Sequence, residues 1–382
     1  MRKLTNLMVC AVLSLAMLMG VGVSVGETYA SEYVPQTSTK ASILIDADSG
    51  KVLYENNSHD RMPIASIVKL MTIMLTLENV DNAAVSLDDK VLVSENASGM
   101  GGSQIFLDAN CEYVLGELLK SVIVCSANDS SVALAEYIAG SEDMFVKKMN
   151  DRAGEMGLGN TNYVNCTGLP AENQYSCAAD ISKILCNVLK YDQYREYCKI
   201  WMEDFQHPSG RTTEMTNTNR LSRFYDGCLG GKTGSTSEAG YCLSVGAERN
   251  GLRLISVVLG ASSTKDRFKG AAELLDFGFA NYENYVVNTD GLACVLKPDR
   301  QGVKIKIDGL CKILTKKGES PKYDVKSYIP NKISKCDAGE VLGHIDIIVD
   351  GQVYSTLKVI ADETVLEPGF VDNLKELYKD FI

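Results

Sequence analysis

From Ile64 to Leu77 the chain is largely apolar, and into that run it sets one amine, Lys69, and three hydroxyls, Ser66, Thr72 and Thr76. Ile67, Val68, Leu70, Met71, Ile73, Met74, Leu75 and Leu77 are apolar nearly all round a 3.6-residue period, the pattern of a helix that passes through a core. Pro63 suits a first helical turn, where a missing N–H is no loss. Ser66 and Lys69 are three apart, so on a helix they share a face and reach each other by a hydrogen bond. An ammonium in so apolar a setting must either snorkel to water or be put to use. A serine at a helix start also has free backbone N–H groups beside it, suited to a developing oxyanion. The S-x-x-K spacing alone is common on protein surfaces, so its meaning depends on the rest of the chain.

The 382 residues leave room for two domains and a large core. A net charge of -11 argues against a nucleic-acid partner and gives no help toward an anionic membrane surface. Arg2 and Lys3, the apolar run Leu7 to Val25 and the small-residue end Thr28-Tyr29-Ala30 form a leader over residues 1–30, with cleavage before Ser31. Retained, the same run approaches the length of a membrane anchor. Either way the remainder is expected to be exported and to work outside the cytoplasm. Of twelve cysteines, Cys10 lies in the leader and the other eleven are scattered with no C-x-x-C. Several sit in apolar contexts where a free thiol packs as a small hydrophobe, so most are expected to be reduced core residues. His59, His207 and His344 lie far apart and near no cysteine cluster, so neither a metal nor a cofactor is expected.

In chain order, residues 31–40 read as a linker, and Ala41 to Asn56 as a hairpin turning at Asp48-Ser49-Gly50. Val91 to Asp108, with Gly99, Gly101 and Gly102, reads as a loop able to shape a cleft. Leu115 to Ala139 predicts helix broken near Ser126. Ser141 caps a further helix with Phe145, Met149, Ala153 and Met156 on one face and Gly157 as its stop, and Ser176 to Lys190 predicts another. Arg249-Asn250-Gly251 joins two apolar runs, a strong hairpin signal, and an amphipathic helix over Lys265 to Ala280 follows. Beyond about 290 helical patterns give way to short strands, including Leu292–Lys297 and a pair joined at Asp350-Gly351. The chain thus divides into a mixed α/β (α+β) region at 41–285, a small all-β domain at 290–366, and an amphipathic helix at 367–382. That last helix carries Phe370, Leu374, Leu377 and Phe381 on one face, and its spacing fits either docking on the β domain or peripheral contact with a membrane.

Three short motifs stand in order: Ser66-x-x-Lys69, Ser126-Ala127-Asn128 and Lys232-Thr233-Gly234. This arrangement resembles the penicillin-recognising serine enzymes, and within them the low-molecular-weight D-alanyl-D-alanine carboxypeptidases of the cell wall. Longer stretches carry the likeness too: Gly102-Ser103-Gln104-Ile105-Phe106-Leu107, Asn165-x-Thr167-Gly168-Leu169-Pro170 and Asn217-Thr218-Asn219-Arg220-Leu221. The resemblance implies a β-lactamase/transpeptidase-like catalytic domain, an antiparallel sheet flanked by helices. It also implies a reaction, removal of the terminal D-alanine from peptidoglycan stem peptides through an acyl-enzyme that penicillin traps.

Acyl transfer of this kind needs an activated hydroxyl, a proton shuttle and an anion trap. Ser66 is the expected nucleophile, and Lys69, desolvated and near a second cation, the base. Lys232 supplies that second charge and helps bind the terminal carboxylate. Ser126 relays a proton to the departing D-alanine. Asn128 binds a substrate amide and Lys69, while Thr233 and Gly234 lie on an edge strand to which an extended peptide adds. The N–H groups of Ser66 and Ser235 form the oxyanion site. Arg267 corresponds to a family arginine that assists with the carboxylate, or else is a surface arginine at a helix cap. Gln174 stands where many relatives carry histidine, a change expected to alter substrate contacts. Cys125, beside Ser126, reads either as a buried spacer or as a thiol that sensitises the site. Three other functions stay open: a β-lactamase with Glu172 activating the deacylating water, a transpeptidase, and a non-catalytic penicillin sensor. The one G-x-S-x-G match, Gly22-Val23-Ser24-Val25-Gly26, lies in the leader, so no serine after residue 30 has the surroundings of a Ser-His-Asp elbow.

Overall fold

The computed structural model describes residues 35, 37–289, 304–330 and 335–365. The leader at 1–30, the strand expected at Leu292–Lys297 and the amphipathic pattern at 367–382 lie outside these residues.

Strands β1 (Ala41–Asp46) and β2 (Val52–Asn56) form the expected hairpin. All six residues of β1 are buried, which suits its central place in the sheet. The apolar run then enters its helix by a different route from the one its pattern predicts. Ala65–Val68 is a single 3₁₀ turn, α1 (Lys69–Asp81) continues from it, and Pro63 lies ahead of both. The tighter turn eclipses residues three apart and so aligns Ser66 with Lys69. The glycine-rich stretch is not pure loop: it holds β3 (Lys90–Leu92) and the one-turn α2 (Glu95–Ser98) before β4 (Glu112–Val114). Helices α3 (Leu115–Val124) and α4 (Asn128–Ala139) are separated by three residues with Ser126 at their centre. Ser141 caps α5 (Glu142–Glu155) by accepting from the Met144 N–H. Helix α6 (Ala178–Val188) starts two residues later than its pattern predicts, because Cys177 takes the N-cap position.

Next come α7 (Asp192–Lys199), a polar hairpin of β5 (Met202–Gln206) and β6 (Thr212–Thr216), and the one-turn α8 (Leu221–Phe224). Then β7 (Cys228–Thr236), β8 (Gly240–Arg249) and β9 (Leu252–Ala261) complete an antiparallel sheet of order β2-β1-β9-β8-β7. Asn250 and Gly251 both have positive φ, the geometry a two-residue hairpin turn requires. Period-two alternation gives the sheet two cores. Ile43, Ile45, Ile255, Val257 and Leu259 face α1 and α6, whereas Leu44, Leu243, Val245, Leu254 and Val258 face α9 (Thr264–Asn281). β7 ends the sheet with no further strand paired to it among the described residues, beside the 3₁₀ turn that carries Ser66.

The strand-rich part begins earlier than the composition suggests. Helix α9 runs straight into β10 (Tyr282–Val286), which pairs with β12 (Lys312–Lys316). A separate sheet of order β11-β15-β14-β13 comprises β11 (Ile305–Asp308), β13 (Asp324–Tyr328), β14 (Val341–Val349) and β15 (Gln352–Ala361). Val287, Ile313, Ile345, Ile347, Leu357 and Val359 form its own small core. Among the described residues no helix is long and apolar enough to cross a membrane.

Candidate active site

Ser66 is half-buried in the 3₁₀ turn, and its Oγ accepts a hydrogen bond from Lys69 Nζ at 3.2 Å. The residue before it, Ala65, has φ of +49°, a left-handed conformation that costs an alanine free energy. Such a strained residue persists only where its surroundings over-determine it, and here they are tight. A Cβ added at Gly168 would lie 2.1 Å from the Ala65 carbonyl oxygen, and one at Gly234 would lie 3.1 Å from the Ser66 nitrogen. Two remote glycines thus let the loop after Cys166 and strand β7 close on the serine backbone from two sides.

Lys69 is fully buried, and Nζ also donates to Asn128 Oδ1 at 2.6 Å and to the Thr167 carbonyl. Burial pulls its pKa down to about 7, against a smaller opposite pull from Cys166, Cys125 and Asp129. Lys232 is likewise held well below the ordinary lysine value, by its own burial first and by Lys69 next.

Ser126 and Lys232 meet across more than a hundred residues of sequence: Lys232 Nζ donates to Ser126 Oγ at 2.7 Å and to the Thr233 carbonyl at 3.1 Å. Ser126 has φ of +66°, and this second strained residue breaks the helix between α3 and α4. Asn128, at the start of α4, takes Lys69 on its oxygen and donates from Nδ2 to the Gly101 carbonyl at 2.6 Å, tying the glycine loop to the lysine. Thr233 Oγ1 bonds Thr218 Oγ1 at 2.8 Å. Ser235 is exposed on β7, one residue past the glycine that abuts Ser66.

Arg267 is not a surface cap. It is 8 % exposed, its Nη1 donates to the Gly234 carbonyl at 3.3 Å, and its guanidinium lies 4.8 Å from the Phe268 ring centre. Its Nε has no partner among the described residues, so this buried cation retains a donor. Gln174 is committed to the protein. Its oxygen accepts from the Val164 and Asn165 N–H groups, and its nitrogen donates to the Leu169 carbonyl at 2.9 Å. Cys125 is a poor nucleophile, since its thiol bonds the Ser121 carbonyl and burial pushes its pKa up to about 12. The described cysteines are all unpaired.

The sequence reading gave no role to Asp129, which the structure makes central to the cleft wall. Its carboxylate, buried at the first turn of α4, accepts from the backbone N–H groups of Ile105, Leu107 and Ser130. An acid in the first turn of a buried helix, directly after a motif asparagine, was the available signal.

Comparison with known proteins identifies the family. Residues 28–263 match the family model described as D-alanyl-D-alanine carboxypeptidase. The chain is similar to D-alanyl-D-alanine carboxypeptidase DacF of Bacillus subtilis (strain 168), 39% identical over 90% of this chain and 90% of that one. Among solved structures it is similar to penicillin binding protein 5 from Haemophilus influenzae, with a TM-score of 0.68 and 30% identity over 88% of this chain and 99% of that one. It is also similar to the peptidoglycan synthesis regulatory factor PBP3 from Streptococcus pneumoniae, with a TM-score of 0.72 and 26% identity over 86% and 100% of the two chains.

Proposed function

We infer the roles of the site from one premise: the chain belongs to the D-alanyl-D-alanine carboxypeptidase family. It is a serine peptidase of the penicillin-binding type, acting on peptidoglycan peptides. The observation that carries the assignment of roles is the meeting of Ser66 with a buried amine of pKa about 7.

In this reading the neutral fraction of Lys69 takes the proton from Ser66 Oγ, which attacks the carbonyl carbon of the penultimate D-alanine. The substrate lies as an added strand along β7, its terminal carboxylate toward Lys232, Thr233 and Arg267. That carboxylate supplies the negative charge that a crowded set of cations lacks in the free enzyme. The oxyanion rests on the N–H groups of Ser66 and Ser235. The proton taken by Lys69 passes by way of Ser126 Oγ, held by Lys232, to the amide nitrogen as the C–N bond breaks and D-alanine departs. Water then attacks the Ser66 ester and releases the shortened peptide. Asn128 holds Lys69 in place and presents an amide to the substrate. Penicillin undergoes the same attack, but its leaving nitrogen stays tethered to the adduct.

We place the enzyme outside the cytoplasm, an assignment supported by the leader pattern at 1–30 and by the wall substrate. The one-sided apolar pattern at 370–382 supports peripheral contact with the outer face of the cytoplasmic membrane. A 41–285 catalytic region and a 290–366 β region remain the working division, with β10 crossing the end of the first.

The deciding experiment is D-alanine release from a D-Ala-D-Ala peptide by Ser66→Ala. The variant is expected to fold, to melt near the wild-type temperature and to release no D-alanine. Release at the wild-type rate would reject Ser66 as nucleophile.

A further inference from the structure

The β5–β6 hairpin has no part in the roles assigned above, yet its tip reaches the cleft wall. Phe106 has φ of +62°, a left-handed backbone that a bulky residue adopts only under constraint. The peptide unit that follows it is held at both ends. Its carbonyl accepts from Arg211 Nη2, and its N–H, that of Leu107, donates to Asp129 Oδ2 at 3.1 Å. The same stretch of wall meets a motif residue directly, since the Asn128 N–H donates to the Ser103 carbonyl at 2.7 Å. Asn128 in turn holds Lys69 Nζ at 2.6 Å. Arg211 therefore stands at the outer end of a chain of bonded groups that leads to the base.

Arg211 Nη2 also meets Asp108 Oδ1 at 3.1 Å and His207 Nδ1 at 3.1 Å. A guanidinium only donates, so Nδ1 is the acceptor and carries no proton. The ring proton then sits on Nε2, which donates to Thr213 Oγ1 at 2.9 Å. His207 is buried, and the charged or titratable groups that face it are Arg211 of its own hairpin, Asp108 of the cleft loop and Tyr113 of β4. Burial first and Arg211 next hold its pKa below the ordinary 6.5, against an opposite pull from Asp108. At neutral pH the ring is thus neutral and accepts from Arg211. A proton arriving on Nδ1 in acid would set one N–H against another, and the new imidazolium would compete for Asp108, whose Oδ2 lies 3.9 Å away.

We propose that Arg211 is a positioning residue for acylation: seated on His207, it fixes the cleft wall behind Asn128 and Lys69, and protonation of His207 releases it. This rests on the reading of Ser66 as nucleophile and Lys69 as base given above. The test is single-turnover acylation of the full-length enzyme by penicillin at pH 8 and at pH 5. Arg211→Ala, shown to be folded by circular dichroism, is expected to lose about ten- to hundred-fold in limiting acylation rate, with the half-saturating concentration little changed. Arg211→Lys keeps one charged donor and should recover part of that loss. A merely structural arginine would change the melting temperature alone. His207→Gln keeps a donor and an acceptor but takes up no proton. The ratio of the wild-type rate to the His207→Gln rate should therefore fall about two-fold or more from pH 8 to pH 5, the titration of Lys69 being common to both and cancelling. A wild-type limiting rate in folded Arg211→Ala would overturn the positioning role. A ratio that does not change with pH would overturn the release, and it decides the matter should Arg211→Ala fail to fold. If the folded wild-type enzyme formed no adduct at all, the acylation reading itself would fall, leaving Arg211 nothing to position.

Discussion

The ammonium of Lys69 has no route to water, and that burial is what sets the working pH of the site. With its pKa pulled down to about 7, the neutral form that can accept the Ser66 proton grows as pH rises through that value. The rate of acylation by penicillin should therefore climb about tenfold per unit below pH 7 and level off above it, as stopped-flow measurement across that range would register. A flat profile from pH 5 to 9 would contradict Lys69 as the base. The same shift has a stability sign. The unfolded chain holds this proton up to the ordinary lysine value of 10.5 and the folded one only to about 7, so this group makes stability rise with pH between those limits. Lys69→Ala should lower kcat by about 10²–10⁴ with little change in KM, because it removes a proton acceptor and leaves the cleft. Ser66 and Lys69 were legible in the sequence because three residues along a helix fix a shared face and two later motifs give that spacing a meaning. The left-handed backbones of Ala65 and Ser126 were not legible. Both are forced by contacts from distant segments, and neither alanine nor serine signals that conformation locally.

The loop from Asn165 to Gln174 shows how an element distant in sequence from Ser66 positions it. Asn165 Oδ1 accepts from the Gly168 N–H at 2.7 Å, and Gln174 ties Val164, Asn165 and Leu169 together, so the loop holds its shape without regular structure. Gly168 has φ of +81° and abuts the Ala65 carbonyl. Gly168→Ala should thus push Ala65 and Ser66 out of register, lowering penicillin labelling and the melting temperature together, at a cost of about 1–3 kcal/mol in stability. Labelling at the wild-type rate in that variant would show that the loop does not set the nucleophile. Gln174→Ala should be milder in stability yet slow acylation, since it frees the loop rather than displacing it. Of the elements, the long amphipathic and alternating ones were legible because their periods are unambiguous. The β5–β6 hairpin was not, because its strands are polar and largely exposed and so carry no apolar alternation. Strand β10 was hidden too, because it follows α9 without a turn signal.

Across the whole molecule, β12 is where the catalytic region and the strand-rich region meet. Its alternation sends Ile313 into the core of the small sheet and Leu314 into the core between α9 and the large sheet. Leu314→Ala should therefore lower stability by about 2–5 kcal/mol, read as a drop in melting temperature, while kcat/KM at a permissive temperature stays at its wild-type value. A loss of activity without a loss of stability would mean that the β region acts on the cleft directly. The large sheet serves the chemistry at its β7 edge. Its strand β7 brings Lys232 to Ser126 while its glycine lets Ser66 approach, so three segments distant in sequence share one pocket. Mass spectrometry of the protein after exposure to penicillin, with the adduct mapped to its residue, tests that convergence most directly. The account predicts one covalent acyl group on Ser66, absent from Ser66→Ala and formed far more slowly in Lys69→Ala; an adduct on any other residue, or full labelling of Ser66→Ala, would contradict it.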